Sequence, residues 1–340
     1  MKYIDPEILK EAMLNKLEEV VIGNRVAALP VVEGLLWASL RGIDSHGIRL
    51  LPHYYNAAKG GRININVSPV KNRVSSAITL LDAKHNFGHY AGVVAMNEAV
   101  DLAYDVGVGV VSVSNSSHCG ALSYFGHVAA EKNMLGIVLT NASPRVNTPG
   151  STQSFFGNNP ICLVAPMSKE APFCFDSATT SITFNAVKLA VENGETLPPG
   201  LVTDAEGIPT CDPNLAEQLM GIGGYKGFGL SMMVEILCGL LAGMPTGDKV
   251  TKMYGNSLAE HRRLAQFFIA IDIAKFQDVS NFKSTLQELV DKVRAEPKAT
   301  NSLVISAPGD PEKRNEEVRR KRGITVSDKL MEFLDLGQFT

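Results

Sequence analysis

The sequence predicts an α/β protein, because apolar runs typical of buried strands alternate in the middle of the chain with segments of helical periodicity. The predicted strands are residues 77–81, 108–113, 135–139 and 161–165. Helices are predicted between them at residues 89–106 and 122–131. The length of 340 residues is enough for about two domains of ordinary size.

Helices are also predicted on both sides of this alternating region. Asp5 is suited to be an N-cap, Pro6 fits the first helical position, and a second helix is expected at about residues 25–40. The segment 230–244 is apolar enough for a buried helix and too short to span a bilayer. The charged run at 312–322 is typical of a solvated helix face.

Composition and charge argue against several classes of protein. The net charge is -3 and charged residues make up 20% of the chain, so a basic face that binds nucleic acid is not expected. The five cysteines include no CxxC pair, which disfavours a disulfide framework and favours a reducing cytoplasm. Neither a signal-peptide core nor a motif such as HExxH is present, so we expect no membrane partner and no metal.

The first polar motif joins Ser45, His46 and Arg49, and Tyr54 follows within ten residues. A guanidinium can hold a carboxylate while hydroxyl and imidazole groups bind a substrate hydroxyl. The same residues could instead form a helix start that is capped by Ser45 or Asp44. The pattern alone leaves both interpretations open.

The second polar motif is the turn at 114–120, which follows a predicted buried strand and contains His118. Ligands of open α/β sheets lie beyond the carboxyl ends of strands, and an imidazole there could accept and return a proton. The alternative is a structural histidine bonded to a loop carbonyl. Cys119 beside Gly120 is more typical of packing than of a nucleophile.

Two further segments could contact a cofactor. The glycine-rich run 221–230 contains Lys226 and precedes an apolar helix, as a phosphate-binding turn would. Its spacing matches neither GxGxxG nor a P-loop, so a Rossmann fingerprint is absent. Asp176 follows another strand, where its carboxylate could bind a ribose diol, orient a histidine or cap the next helix.

Seven segments, taken in order, resemble the malate/L-lactate dehydrogenase family, whose members lack a Rossmann fold. They are RGIDSHG at 41–47, SNSSHCGALSYF at 114–125, FGNNP at 156–160, FDSATT at 175–180, DAEGIPTCDP at 204–213, GGYKGFGL at 223–230 and FFIAID at 267–272. The resemblance covers nearly the whole chain. It implies an NAD(P)-dependent oxidoreductase that interconverts a small 2-hydroxy acid and its 2-oxo acid by hydride transfer.

The resemblance also implies an architecture. We expect a mixed sheet flanked by helices in a non-Rossmann cofactor-binding domain at residues 73–299, with residues 1–72 and 300–340 forming a helical domain. It implies NAD or NADP, with NAD favoured, no metal, and a homodimer or higher homo-oligomer.

Site residues follow from the matching motifs. The family pattern makes His118 the proton acceptor in the oxidation direction. It places Ser45, His46 and Tyr54 at the substrate. The implied cofactor contacts are Asp176, Ser177, Ala178, Lys226, Gly309 and Asp310.

The sequence departs from the family at the substrate carboxylate. Family members often have an arginine three residues after the glycine of SHG, where this chain has Leu50. The preceding Arg49 is therefore the favoured carboxylate partner, because the same segment supplies Ser45 and His46. Arg145, in the loop after the strand at 135–139, is the alternative.

The substrate itself is predicted from a short segment. Residues 249–254 and 257–272 look most like the ureidoglycolate dehydrogenase branch. Malate, L-lactate and sulfolactate dehydrogenases are the alternatives within the family. A non-catalytic ligand-binding protein on the same fold is a second alternative, which the presence of His118 disfavours.

Overall fold

The computed structural model describes residues 2–254, 257–300 and 304–338. Its helices are α1 (Pro6–Glu18), α2 (Arg25–Leu40), α3 (Leu51–Lys59), α4 (Gly88–Val106), α5 (Ser123–Glu131), α6 (Phe184–Asn193), α7 (Tyr225–Glu235), α8 (Val279–Arg294), α9 (Asp310–Arg322) and α10 (Asp328–Phe333). Its strands are β1 (Lys2–Ile4), β2 (Val70–Arg73), β3 (Ile78–Asp82), β4 (Val108–Ser116), β5 (Met134–Thr140), β6 (Val146–Asn147), β7 (Ser154–Phe156), β8 (Ile161–Ala165), β9 (Phe173–Ser177), β10 (Val202–Thr203), β11 (Pro209–Thr210), β12 (Gln218–Leu219), β13 (Leu264–Asp272) and β14 (Ile324–Val326).

The largest sheet of the described residues has seven strands in the order β2-β3-β4-β13-β5-β8-β9. β3 and β4 run parallel and the other neighbours run antiparallel, so the expected mixed sheet is confirmed. The strand predicted at 108–113 continues to Ser116. Its polar end stays in the sheet because Ser114 pairs with Asp82 on one side and Ser116 pairs with Leu264 on the other.

Helices α4 and α5 cover one face of this sheet and form its main core with β4, β5, β8 and β13. The small side chains of α4 let it lie close to β4. A Cβ atom at Gly109 would come within 1.9 Å of the carbonyl oxygen of Ala99, so a side chain at this position would push the helix away.

The opposite face is covered by α7 and the π-helical turn that follows it at Ile236–Leu240. The prediction that the segment 230–244 is a buried helix is wrong for the side that faces away from the sheet. Val234 and Cys238 are fully buried, whereas Leu230 and Leu240 are 39% and 62% exposed. Apolar side chains lie on both the buried and the exposed side of this helix, but the sheet covers only the buried side.

The two ends of the chain share a separate hydrophobic core. It gathers side chains from α1, α2 and α3 together with those of β14 and α10. The predicted N-cap is confirmed, because Oδ1 of Asp5 accepts a hydrogen bond from the backbone N–H of Glu7 at 2.9 Å. The division into residues 1–72 with 300–340 and residues 73–299 remains a prediction.

The charged helix α9 is only partly solvated. The guanidinium of Arg319 donates to both oxygens of Asp44, at 2.5 and 2.9 Å, and Arg41 forms an ion pair with Glu316 at 2.5 Å. The charges thus connect α9 to the end of α2 and the segment after it.

A second, five-stranded sheet was not predicted. Its strands lie in the order β11-β10-β12-β6-β7 and have two or three residues each, too short to give an alternating pattern. Across the described residues, no helix combines the length and the apolar character that crossing a membrane requires.

Candidate active site

The site is built around His118, two residues beyond the end of β4. The turn that carries it is held by the start of α4. Ser117 accepts a hydrogen bond from the N–H of Gly88 at 2.8 Å and donates one to the carbonyl of Asn86 at 3.2 Å. A Cβ atom at Gly88 would lie 2.2 Å from the carbonyl oxygen of Ser117, so the close approach depends on this glycine.

Tyr54 on α3 is the hydrogen-bond partner of His118. The phenol oxygen lies 2.5 Å from Nδ1 of the imidazole, and Tyr54 is buried in the core of the chain ends. Among the described residues, Nε2 of His118 has no hydrogen-bond partner. The alternative of a histidine bonded to a loop carbonyl therefore does not describe this residue.

Burial and neighbouring charges keep His118 neutral. Burial lowers the pKa of His118 well below its usual value, and His46 and Arg262 lower it further. In the neutral tautomer whose Nδ1–H donates to the phenol oxygen of Tyr54, Nε2 carries the lone pair and can accept a proton.

Ser45 and His46 lie beside this pair in a short 3₁₀ turn after α2. The His46 ring stacks on the His118 ring with 5.6 Å between their centroids, and Oγ of Ser45 lies 2.9 Å from Nδ1 of His46. Neither Ser45 nor Asp44 caps an α-helix, because both lie within the 3₁₀ turn and the residue that precedes α3 is Leu50. Of the two interpretations of this motif, the capped helix start is therefore excluded.

Two adjoining cavities connect this cluster to the predicted cofactor residues. One, of about 350 Å³, is lined by residues that include Ser45, His46, Asp176 and Ala178. The other, of about 440 Å³, is lined by residues that include Asp176, Ser177 and Gly309. Asp176 lines both cavities, so they adjoin, and together we call them the groove.

Asp176 lies at the end of β9 and faces the start of α5. Its Oδ2 accepts a hydrogen bond from the backbone N–H of Ser123 at 2.8 Å. It thus caps a helix, as one interpretation expected, but that helix lies 53 residues earlier in the chain. Burial raises the pKa of Asp176, although the bond from Ser123 partly offsets the effect.

Gly309 and Asp310 form a turn on the other side of the groove. Gly309 has φ +93° and lies against Cys174 of β9, where an added Cβ atom would be 3.2 Å from the backbone nitrogen. The carboxylate of Asp310 accepts hydrogen bonds from Arg294 and from the N–H of Ala307. Asp310 therefore closes the turn, and its carboxylate is engaged inside the protein.

Lys226 begins α7 and its side chain is exposed. The preceding glycines lie beside the end of β9: the N–H of Ile222 donates to the carbonyl of Thr179 at 2.9 Å, and Gly221 pairs with Thr180. These contacts join the segment before α7 to the residues that follow β9, whereas Lys226 itself is not among the described residues that line the two cavities.

The two predicted carboxylate partners lie at different distances from this cluster. Arg49 is exposed and lines a third cavity of about 360 Å³, which Ser45 shares with the cavity beside His46, and after burial the charge of Arg49 lowers the pKa of His46. Arg145 is also exposed, and its guanidinium lies 4.7 Å from the centre of the Phe184 ring.

Arg262 and His53 lie near the cluster and were not predicted as site residues. Arg262 is 4% exposed, and burial lowers its pKa to about 10. Burial, followed by the charge of Arg262, lowers the pKa of His53 to about 4. The sequence places Arg262 beside Arg263 just before a strand, but only the pairing of β13 with β4 reveals which turn it approaches.

Cys119, next to His118 in the chain, contributes no reactive group to this site. It is buried, and burial raises its pKa to about 12, so the thiol stays protonated at neutral pH. Within the described residues, no three histidine, cysteine or acidic side chains are arranged to hold a metal ion.

Comparisons with known proteins agree with this architecture. The family model described as malate/L-lactate dehydrogenase matches residues 4–335. The chain is 33% identical over 317 residues to a malate dehydrogenase of Pyrococcus abyssi, covering 90% of this chain and 86% of the relative. It is 30% identical over 331 residues to a ureidoglycolate dehydrogenase (NAD(+)) of Escherichia coli, covering 97% and 94%.

Solved structures give the same result. The crystal structure of a malate dehydrogenase from Entamoeba histolytica superposes with a TM-score of 0.91 at 29% identity, covering 99% of this chain and 98% of that one. Both the sequence match and the superposition extend over nearly the whole chain. The chain therefore belongs to the malate/L-lactate dehydrogenase family and is a dehydrogenase that acts on CH–OH groups.

Proposed function

We propose that this dehydrogenase oxidises a small 2-hydroxy acid to its 2-oxo acid with NAD, and that ureidoglycolate is its substrate. The observation that carries the proposal is the neutral His118, which is hydrogen-bonded to Tyr54 through Nδ1 and stacked on His46, a residue that lines the groove. The resemblance at 249–254 and 257–272 favours ureidoglycolate. The relatives at 33% identity are a malate and an L-sulfolactate dehydrogenase, so these acids and L-lactate are the alternatives.

The groove suits a nicotinamide dinucleotide. Asp176 offers a carboxylate to ribose hydroxyls, and the turn at Gly309 brings main-chain groups to the same cavity. We assign Asp176, Ser177, Ala178, Gly309 and Lys226 to cofactor binding, with Asp310 holding the turn. A carboxylate at the ribose favours NAD over NADP, whose extra phosphate it would repel.

The residues of this chain would act on the hydroxyl proton. Nε2 of His118 accepts the proton of the substrate hydroxyl as the carbonyl forms, and Tyr54 holds the ring in position from the Nδ1 side. A nicotinamide held by the groove residues would supply the acceptor for the hydride of the same carbon. Ser45 and His46 border the reacting group. Arg49, or Arg145 in its place, remains the sequence-based prediction for the carboxylate.

A spectrophotometric screen tests this function. Ureidoglycolate, L-malate, L-lactate and L-sulfolactate are each supplied with NAD and with NADP, and formation of the reduced cofactor is followed. We expect the highest kcat/KM with ureidoglycolate and NAD. A higher kcat/KM with another acid would show that ureidoglycolate is not the substrate. No turnover of any of these acids would contradict the proposed oxidation of 2-hydroxy acids. His118→Ala is the control for contaminating dehydrogenases.

We also propose that the protein is a homo-oligomer, at least a dimer, and cytoplasmic. The exposed stripe of α7 and its π-helical turn supports self-association. Leu230, Met233, Ile236 and Leu240 are 39%, 41%, 43% and 62% exposed, and a helix surface this apolar is typical of an interface. Sedimentation should give at least a dimer for the wild type and a smaller species for Leu240→Glu. A monomeric wild type would contradict the proposal.

A further inference from the structure

Arg262 is a buried cation without a carboxylate partner in the described part of the chain. It is 4% exposed, and its Nε donates to the carbonyl of Thr251 at 2.9 Å. Its Nη1 is buried and has no hydrogen-bond partner among the described residues. An unpaired buried charge is costly, and such groups usually have a counter-ion that completes the site.

The sheet brings this guanidinium towards His118. Leu264, the first residue of β13, pairs with Ser116, the last residue of β4. The two strands are antiparallel, so Arg262 before β13 and His118 after β4 lie at the same end of this strand pair. Each is two residues beyond the pair Leu264–Ser116. The charge of Arg262 accordingly lowers the pKa values of His118 and His53.

Among the described residues, the groups that act on the ionisation of Arg262 are one guanidinium and two phenols, and none is a carboxylate. They belong to Arg62, Tyr54 and Tyr254. Arg62 has a different role, since it donates to the main-chain carbonyls of Met253, Ser257 and Glu260 and so holds that loop. Arg262 has one such bond, through Nε, which fixes the plane of the guanidinium and leaves Nη1 to bind a ligand.

The exposed arginines are less suited to this task. Arg49 and Arg145 are hydrated, so a carboxylate would gain little from either by comparison with water. A buried guanidinium binds a carboxylate by charge-assisted hydrogen bonds and also fixes its orientation.

We propose that Arg262 binds the carboxylate of the substrate while His118 faces the neighbouring hydroxyl-bearing carbon. The proposal rests on the function proposed above, in that the substrate is a 2-hydroxy acid. It replaces Arg49 and Arg145 as the carboxylate partner. It explains how a chain with Leu50 at the usual arginine position still holds an acid.

The test measures binding and does not depend on turnover. Oxamate, a carboxylate analogue of a 2-oxo acid, and oxamide, its neutral counterpart, are titrated by calorimetry into the full-length protein with NADH present. We expect the wild type to bind oxamate at least about 100-fold more tightly than oxamide, the usual scale for a buried charge pair. Arg262→Gln should bind the two compounds with similar affinity, and Arg262→Lys should recover only part of the preference.

Arg263→Gln is the matched control, because Arg263 is adjacent and exposed. It should keep the wild-type preference for oxamate. If Arg262→Gln keeps that preference, or if the wild type has none, the assignment of Arg262 is wrong. NADH affinity and thermal unfolding of Arg262→Gln and Arg262→Lys separate loss of the carboxylate contact from loss of the fold.

The test of Arg262 and the test of the proposed function can fail independently of each other. An Arg262-dependent preference for oxamate without turnover of any hydroxy acid would reject the function and leave the anion site standing. Turnover with an unchanged preference in Arg262→Gln would reject the site and leave the function standing.

Discussion

His118 and Tyr54 come from segments 64 residues apart and meet through one hydrogen bond of 2.5 Å. The resemblance to the family led to the prediction of both residues, along with Ser45 and His46, as site residues. The sequence could not indicate where Arg262 lies, because its position depends on pairing between strands that are more than a hundred residues apart. Arg49 was predicted for the carboxylate because the same segment supplies Ser45 and His46.

At the scale of a residue, we predict that His118→Gln lowers kcat by roughly 10²–10⁴-fold, the usual contribution of a general base. The amide cannot accept the proton as an imidazole does, but it fills similar space. The dissociation constant for NADH, measured by fluorescence titration, should barely change. Near-normal kcat in this variant would show that another group takes the proton.

Elements with a strong periodic pattern were predicted well, whereas short and exposed ones were not. α1, α2 and α4 show apolar residues at helical spacing over at least three turns. The small second sheet is built from strands of two or three residues, which leave no pattern. For α7 the composition indicated burial, but composition carries no information about which side another element covers.

At the scale of an element, the turn at Gly309 offers a test of the groove. Gly309→Ala should destabilise the protein by about 1–3 kcal/mol, because φ +93° strains any residue with a side chain. The added Cβ atom would also press on Cys174 of β9, so the dissociation constant for NADH should rise several-fold. Urea unfolding and fluorescence titration measure the two effects.

Gly61→Ala is the control for that experiment. Gly61 has φ +83°, and an added Cβ atom would have nothing within 4 Å. It should lose a similar amount of stability from backbone strain and keep its NADH affinity. Equal loss of NADH affinity in both variants would mean that the turn at Gly309 has no specific part in the groove.

At the scale of the whole molecule, several histidines are buried in their neutral form. Burial lowers the pKa of His89 to about 3 and that of His127 to about 4. The N–H at Nδ1 of His127 donates to the carbonyl of Ser123 at 2.8 Å, which fixes the neutral tautomer. No pattern in the sequence indicates which histidines are buried, because histidine occurs in surface and core positions alike.

This burial predicts a loss of stability in acid. In the unfolded chain each histidine takes up a proton near pH 6.5, whereas in the folded protein His127 does so only near pH 4. Between these values the unfolded state binds more protons, so the free energy of unfolding falls as the pH falls, by about 1.4 kcal/mol per pH unit for each such histidine. Urea unfolding of the wild type at fixed protein concentration, between pH 7.5 and 4.5, should show this decline.

His127→Gln should remove one histidine's share of the decline. Glutamine can still donate to the carbonyl of Ser123 and does not titrate in this range. Its free energy of unfolding is expected to be lower than that of the wild type at pH 7.5, because the ring contact with Trp37 is lost. On going to pH 4.5 the gap should close, since the variant no longer has this buried imidazole to protonate on unfolding. A gap that stays constant across the pH range would mean that His127 is protonated in the folded state as readily as in the unfolded chain.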